Sequence, residues 1–557
     1  MQEEVDVLII GSGAGGLCAG IALSRAGKKV MVVEQHDVPG GWSHSFYLDG
    51  HRFSPGVHYI GLLDEGGSTS QLYEGLGIGN DLTFFRMNKN AYEHCWIGDE
   101  RFEFPADFEQ LKTSLAKRFP KEKKNVANYL DMVKEVSRQL QLIPTMDGFW
   151  DMVTIPWRTR HMGKYGLFSL KRVIDWYIDD PLLKKILNIQ CGDHGLPPGR
   201  ASFVLHSALM SHYFEGGFYP MGGGGAIVKA MTKAIKKYDG VIKTGTAVEK
   251  IIIEQINDKK VATGAILFDG STIRAEHVIS NADPGITYRK LIGEKHLSTK
   301  LKKKLDQAKY SCTSLILFLV LDMDVAAAGL DSGNIWLMPN KDLDNFYEEM
   351  MTENLEKIDS FSGMFVSCTT LKDPSTYDGK HHCLEVVTFI NYDAFKQFEQ
   401  EGRERSEAYK KYKASLENKM LNGLEKVLPD VRSHIVKMEL GTPITNEYYI
   451  NSTKGAVYGT EKSLKYIGPF AFPSKTEIEN LYMCGASVLS HGVAGAGHSG
   501  VDTAARILGC KPAELLIDNK NQKVRILDAE DDSHYPDDVK KKIAHRKKRI
   551  QNKVVAV

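Results

Sequence analysis

The chain is expected to be an α/β protein of at least two domains, one of them built on a parallel sheet. Three observations predict this. The chain has 557 residues, more than one hydrophobic core usually supports. It opens on an apolar run, a cluster of glycines and a second apolar run. Further on, strand-like and helix-like stretches alternate along its whole length.

The opening elements follow in order. Val5–Ile10 alternates too little for a half-exposed strand and reads as a buried one. Gly11, Ser12, Gly13, Ala14, Gly15 and Gly16 fit the pattern G-x-G-x-x-G. Leu17–Arg25 reads as a helix stopped by Gly27, and Lys29–Val33 as a second buried strand ending at Glu34. Gly11 permits the tight turn, Gly13 lets backbone approach a pyrophosphate, and Gly16 lets helix pack on strand. The helix N-terminus offers free N–H groups and partial positive charge to phosphates. Glu34, with neighbouring Gln35, stands where an acid accepts ribose hydroxyls and repels a 2′-phosphate. The expected nucleotide is therefore FAD or NAD rather than NADP, on a Rossmann unit. Gly40 and Gly41, followed by Trp42, stand six and seven residues beyond Glu34. Such a pair lets another backbone segment pass close to a dinucleotide. The E-x5-GG arrangement resembles FAD-binding proteins of the glutathione reductase-like class.

Helical spacing at Leu111, Leu115 and Phe119, at Val126, Leu130, Val133 and Val136, and at Tyr409, Tyr412, Leu416, Met420 and Leu424 predicts a helix-rich middle. Leu315–Leu321 reads as a buried strand, too short to span a membrane. Gly222–Gly225 follows Pro220 with no clear strand before it, and is expected to be a loop leading into a helix over Ala226–Lys237. Val241–Lys243, Ala247–Ile253, Ala262–Phe268 and His277–Ile279 read as a β-meander turning at Asn257–Asp258 and Asp269–Gly270. The meander, which carries Val248, returns the chain to a sheet, so the nucleotide domain is expected to be discontinuous. Near the end, Leu481–Met483 leads through Cys484, Gly485 and Ala486 to Gly492, Val493, Gly495, Gly497 and Gly500. A helix is expected over Val501–Leu508, a second strand–glycine–helix unit that could face the cofactor.

Charge and cysteine usage exclude some classes. Lys+Arg is 71 and Asp+Glu is 70, so no net field favours nucleic acid. No cysteine pair has zinc or thioredoxin spacing, no metal site is expected, and eight scattered cysteines suit a reducing, cytoplasmic compartment. No export signal or integral span is expected. Residues 148–168 mix Phe149, Trp150, Trp157 and Phe168 with Arg158, Arg160 and Lys164, as an interfacial segment would, although a buried helix with a basic edge fits as well. The tail from about Asn519 is polar and ends in basic clusters. It reads as a solvated helix or frayed end, or as a segment drawn to anionic lipid.

The stretches FSPGVHYIG (53–61), GLPPGRASFVLHSALMSHYFEGGFYPMGGG (195–224), HVISNAD (277–283) and PITNEYYINSTKGAVYG (443–459) resemble the phytoene desaturase and carotenoid isomerase group of flavoproteins, and within it the retinol saturases. The resemblance runs from about residue 5 to 509. Residues 484–500 look more like the desaturase branch, and Ala486 and Ser487 stand where many relatives carry an acid. The resemblance implies a discontinuous glutathione reductase-like FAD-binding Rossmann domain (1–85, 215–300, 440–515), an α+β substrate domain (86–214, 301–439) and a basic tail (516–557). It implies an FAD enzyme acting on a hydrophobic polyene or isoprenoid collected from a membrane surface, by saturation of a C=C bond, with desaturation or isomerisation as the alternative. A non-catalytic flavin-bearing polyene carrier or scaffold is the reading from another class. Saturation needs a hydride, which a flavin stores, and a proton donor. The donor candidates are His58, Tyr59, Tyr219 and His491, with His212 and His498 in the same motifs. Only one complete glycine fingerprint is visible, so electrons are expected from transient NAD(P)H contact or a separate reductase.

Overall fold

The computed structural model describes residues 2–142, 149–399, 404–516 and 521–555. Its first sheet has seven strands. Gln2–Ile10 lies inside it, because its residues from Val7 to Ile9 are fully buried on both faces. It pairs in parallel with Val30–Val33 on one side and Thr272–Ser280 on the other. Val241–Lys243 extends the sheet beyond Val30–Val33. On the other flank, Thr272–Ser280 pairs in parallel with Leu481–Met483 and antiparallel with Lys259–Leu267, which continues to Val248–Ile256. The expected meander is thus three strands. Val241–Lys243 has joined the opposite edge, since it follows a helix that crosses the sheet.

The second sheet also has seven strands, ordered Ile435–Gly441, Thr313–Leu321, His382–Ile390, Met364–Cys368, Asn334–Met338, Glu93–Ile97 and Glu100–Phe104. Thr313–Leu321 is buried at every position. Leu315, Leu317, Leu319 and Leu321 pack in one cluster with Leu416, Met420 and Leu424 of the helix Glu407–Leu424. Ile316, Phe318 and Val320 face the opposite way, into a cluster with Phe53 and the helices Phe108–Arg118 and Lys123–Leu142. The period of two assigns alternate residues to alternate cores.

Two glycine-rich segments differ from expectation. Phe218–Pro220 is a short strand, paired with Thr83–Arg86, and the helix after it begins at Gly224. The glycines there are required by crowding: a Cβ on Gly224 would lie 2.6 Å from Ser43 O. Likewise, the last glycine-rich helix runs over Gly492–Leu508 and not only from Val501. Its glycines lie within the helix, where Gly500 lets it cross the first helix, Ala14–Arg25, at close range.

The basic tail is docked. Arg525–Asp528 pairs in parallel with Thr83–Arg86. Tyr535 and Val539 are buried against Phe85 and Met221. In the helix Asp537–Val555, Arg546 Nη1 donates to Ser375 Oγ at 2.8 Å. Tyr535 just before the helix, and Val539 and Ile543 within it, give its otherwise charged sequence an apolar side that docks on Phe85 and Met221. Among the described residues no helix is long and apolar enough to cross a membrane.

Candidate functional site

The parallel strands deliver the glycine segments to one end of the first sheet. Gly11 closes the first strand at φ +94°, where a side chain is strained. Gly13 is the extended N-cap of the first helix, and Ala14, Gly15 and Gly16 form its first turn. A Cβ on Gly16 would lie 2.2 Å from Gly11 O. Glu34 is buried. Its Oε2 accepts from Ser12 N at 2.9 Å and Ser12 Oγ at 2.7 Å, and its Oε1 accepts from His36 N at 2.9 Å. Gly40 N donates to Ser12 Oγ at 3.0 Å, so Ser12 ties the acid to the glycine pair. Gly41, at φ +53°, brings backbone against Gly13, where a Cβ would sit 3.4 Å from Gly13 Cα.

The other predicted binding residues spread along this edge. Gln35 is exposed and its Oε1 accepts from Asn451. Trp42 packs at the margin of the larger core. Val248 is buried at the start of its strand. Gly485, at φ +96°, donates its N–H to Ser499 Oγ at 3.1 Å, and Ala486 O accepts from the buried Lys462. Burial brings the Lys462 ammonium down to about 7. Gly492 and Val493 open the last helix, and nothing lies within 4 Å of a Cβ built on Gly492.

Sequence reasoning missed Asn281. Its Oδ1 accepts from Gly16 N at 3.1 Å, and a Cβ on Gly13 or Gly15 would lie 2.6 or 2.7 Å from its amide. It directly follows Thr272–Ser280, the strand paired with the first one, and that placement within HVISNAD was the available signal. The bare backbone at Gly11–Gly16, the buried acid and the second glycine pair fit a dinucleotide with a ribose at Glu34.

The candidate proton donors divide. Tyr59 and His491 meet around Asp193. The Tyr59 hydroxyl contacts both Glu93 Oε1 and Asp193 Oδ2, the latter at 2.7 Å. His491 Nε2 donates to Asp193 O at 2.6 Å, and burial pushes its imidazole down to about 3. His58 is adjacent in sequence but paired elsewhere, its Nδ1 lying 3.0 Å from Glu385 Oε2. Tyr219 sits on the small third sheet, buried, with its phenol pushed up by burial and the Lys372 ammonium 5.6 Å from its ring centre. His212 Nε2 accepts from Gly61 N at 2.8 Å and its imidazole is pushed down to about 4, while burial also lowers His498.

Glu93, Gln190, Asp193 and Trp336 were not foreseen. Trp336 Nε1 donates to Glu93 Oε1 at 3.1 Å and Gln190 Nε2 to Oε2 at 2.9 Å. Burial raises Glu93, and burial together with the Glu93 charge raises Asp193 well above the carboxylate range. Glu93 had a signal: it shares the inward face of its strand with Cys95 and Ile97. Asp193, His212, Tyr458 and His491 are half-buried. Trp336 and Phe365 connect Glu93 to the apolar side chains of Met338, Phe346, Tyr347 and Phe389, which enclose a void of only about 10 Å³, the size of one water.

Among the described residues, His51, Asp378 and His381 offer ligand atoms within 4.8 Å of one another, a grouping with metal-binding geometry that no spacing announced. In the segment read as interfacial, Phe149–Arg158 is a helix, and the Phe149 and Trp150 side chains lie outside the described residues. Trp157 is 74% exposed, Leu167 76% and Trp176 48%, with Arg160 and Arg172 over the rings of Trp157 and Phe168.

Residues 14–508 match the family model of flavin containing amine oxidoreductases. An all-trans-retinol 13,14-reductase of Danio rerio is 30% identical over 520 residues, covering 89% of this chain and 84% of that protein. A chloroplastic prolycopene isomerase of Daucus carota is 26% identical over 543 residues, covering 95% and 83%. Among solved structures, a putrescine oxidase bound to putrescine superposes with a TM-score of 0.60 at 17% identity, over 91% of this chain and all of that one. That likeness establishes the fold: an FAD-binding Rossmann unit with a second domain.

Proposed function

Because this chain belongs to the family of flavin-containing amine oxidoreductases, we propose that it is an FAD-dependent oxidoreductase that saturates a C=C bond of a conjugated isoprenoid. The observation that carries this reading is the match, along nearly the whole chain, to a reductase of all-trans-retinol. Gly11–Gly16, Glu34, Gly40, Gly41 and the 485–493 segment would hold the dinucleotide, with Asn281 buttressing the first loop. When bound, the flavin supplies a hydride that no side chain can store. The chain itself contributes the apolar side chains of Trp336 and Phe365 beside a buried polar cluster around Tyr59. The two large sheets support a division into 1–85, 215–300 and 440–515 for the nucleotide and 86–214 with 301–439 for the substrate.

The match to a prolycopene isomerase supports a second reading, isomerisation or desaturation of the same substrate class. Anaerobic incubation of the holoprotein with photoreduced flavin and retinol or a carotenoid separates the readings. A gain of two hydrogens supports saturation. Altered geometry at constant mass, or loss of two hydrogens with oxidised flavin, supports the second reading. No conversion supports a carrier or scaffold. Electrons would arrive by transient NAD(P)H contact or from a separate reductase. The exposed Trp157, Leu167 and Trp176 with their flanking arginines suit peripheral contact with a membrane surface from the cytoplasmic side. Flotation with liposomes tests this, and protein left unbound would refute it.

A further inference from the structure

The cluster of Glu93, Tyr59 and Asp193 poses a proton-counting problem. The phenol oxygen of Tyr59 lies in hydrogen-bond contact with one oxygen of each carboxyl group. A phenol carries one hydrogen and can donate to only one of them. The other contact is satisfied only when that carboxyl group carries a proton and donates to the phenol oxygen. Two lone pairs facing each other in a buried site would be costly.

The surroundings decide which carboxyl group is the acid. Glu93 accepts from Trp336 Nε1 and Gln190 Nε2, and both donors favour the ionised form. The buried Lys372, held by Asn334 Oδ1, Ser367 Oγ and His58 O, also favours the ionised form of Glu93, although burial brings its own ammonium down to about 7. Among the described residues, Tyr59 is the sole side-chain partner of Asp193. Asp193 is half-buried and keeps some exposure, whereas Glu93 is sealed. The imidazoles nearby are poor alternatives. His491 commits its Nε2 hydrogen to Asp193 O, and His212 uses Nε2 as an acceptor.

We propose that the fold keeps Asp193 as a neutral carboxylic acid at physiological pH, and that this acid delivers the proton in saturation of the C=C bond. The inference rests on the oxidoreductase reading above. A hydride, carrying two electrons from a reduced flavin, forms a C–H bond at one carbon while the π bond breaks. The electron pair released to the other carbon takes the Asp193 proton, forming the second C–H bond and leaving a carboxylate. Repulsion from Glu93 then makes Asp193 recover a proton from water, directly or through Tyr59. Tyr59 and Glu93 are positioning residues in this scheme.

Infrared spectroscopy of the holoprotein at neutral pH tests the first half. The expected spectrum contains the carbonyl band of a protonated carboxylic acid, shifted by D2O and by 13C-aspartate labelling and absent from Asp193→Asn. Glu93→Gln, a second variant, should also abolish it, because the phenol would then donate to an ionised Asp193. Single turnover of photoreduced holoprotein with the polyene in D2O tests the second half. One solvent deuterium should enter the product, and Asp193→Asn should slow turnover by ~10²–10⁴-fold at unchanged flavin content. Absence of an aspartate band, its persistence in Asp193→Asn, or undiminished turnover in that variant would overturn the proposal. If the wild-type protein converts no polyene, the functional reading falls, whereas the infrared band still judges the buried acid.

Discussion

Replacing Gly500 with alanine probes the crossing on which the nucleotide site depends. A Cβ at this position would lie 2.0 Å from Gly15 O and 2.8 Å from Gly15 C, whereas ordinary contact begins at 3.4 Å. Neither atom can yield alone, because both belong to helix backbone, so the two helices must part by roughly 1 Å. Overpacking of this kind costs ~1–3 kcal/mol. The better helix propensity of alanine offsets up to ~1 kcal/mol of it. With the full offset the expected net destabilisation is ~0–2 kcal/mol, read as a lower urea midpoint of the apoprotein. The displaced helix also carries the first-turn N–H groups of the glycine loop. Losing one hydrogen bond to a charged phosphate is worth ~1.5–3 kcal/mol, so FAD should bind roughly 10–100-fold more weakly. The assay is urea unfolding with and without FAD, beside fluorescence titration of the apoprotein. Gly163→Ala is the control: it is exposed in the helix Arg160–Tyr165, nothing lies within 4 Å of its Cβ, and it should gain ~0.5–1 kcal/mol. If Gly500→Ala behaves like Gly163→Ala, with stability up and FAD affinity unchanged, the close crossing is not what holds the site.

Three further predictions concern other parts of the molecule. Glu34→Gln turns an amide N–H₂ toward the donors Ser12 N, Ser12 Oγ or His36 N, and should lose ~1.5–3 kcal/mol of FAD binding, seen as bleaching on dilution; an undiminished yellow colour would refute the role of this acid. In the His94–Asp331 pair burial opposes the charged ring, but the hydrogen bond and charge of Asp331 prevail and raise His94, while Asp331 itself is lowered. The His94 contribution is therefore complete below the unfolded histidine value of ~6.5 and disappears as pH rises through the higher folded value, while the Asp331 contribution is lost as pH falls below ~4. His94→Gln should flatten the decline in unfolding midpoint above neutral pH, an effect of about 1 kcal/mol or less. Tyr535→Ala removes a buried ring that packs on Phe85 at 5.6 Å and a bond from its hydroxyl to Asp528 O; a cost of ~3 kcal/mol should release the final helix to limited proteolysis, and equal resistance in both proteins would contradict its docking.

The nucleotide edge was legible because its signals are local and chemical. Gly11, Gly13 and Gly16 answer to backbone geometry within one turn, and Glu34 closes a strand of four residues. The helix Gly492–Leu508 was read too short, because its glycines answer to the first helix far away in sequence, a partner that local propensity cannot see. Phe218–Pro220 carries no strand signal for the same reason, since a three-residue strand exists only through Thr83–Arg86. The donor candidates rest on residue types suited to acid–base work within the motifs, and the structure places two of them, Tyr59 and His491, against Asp193. Asp193 stands in a 3₁₀ segment with no periodicity to mark it, and what distinguishes it is a carboxylate contributed from a strand one hundred residues earlier.

The order of strands in the first sheet sets when a ribosome-bound chain can first retain its coenzyme. Gln2–Ile10 emerges first, yet its neighbour Thr272–Ser280 and the flanking Leu481–Met483 are translated hundreds of residues later. At ~5–20 residues/s, roughly 25–100 s separate the opening glycines from the closing helix. Loading is consequently a late event in biogenesis, and products of premature termination are expected to remain without prosthetic group however much riboflavin the cell has.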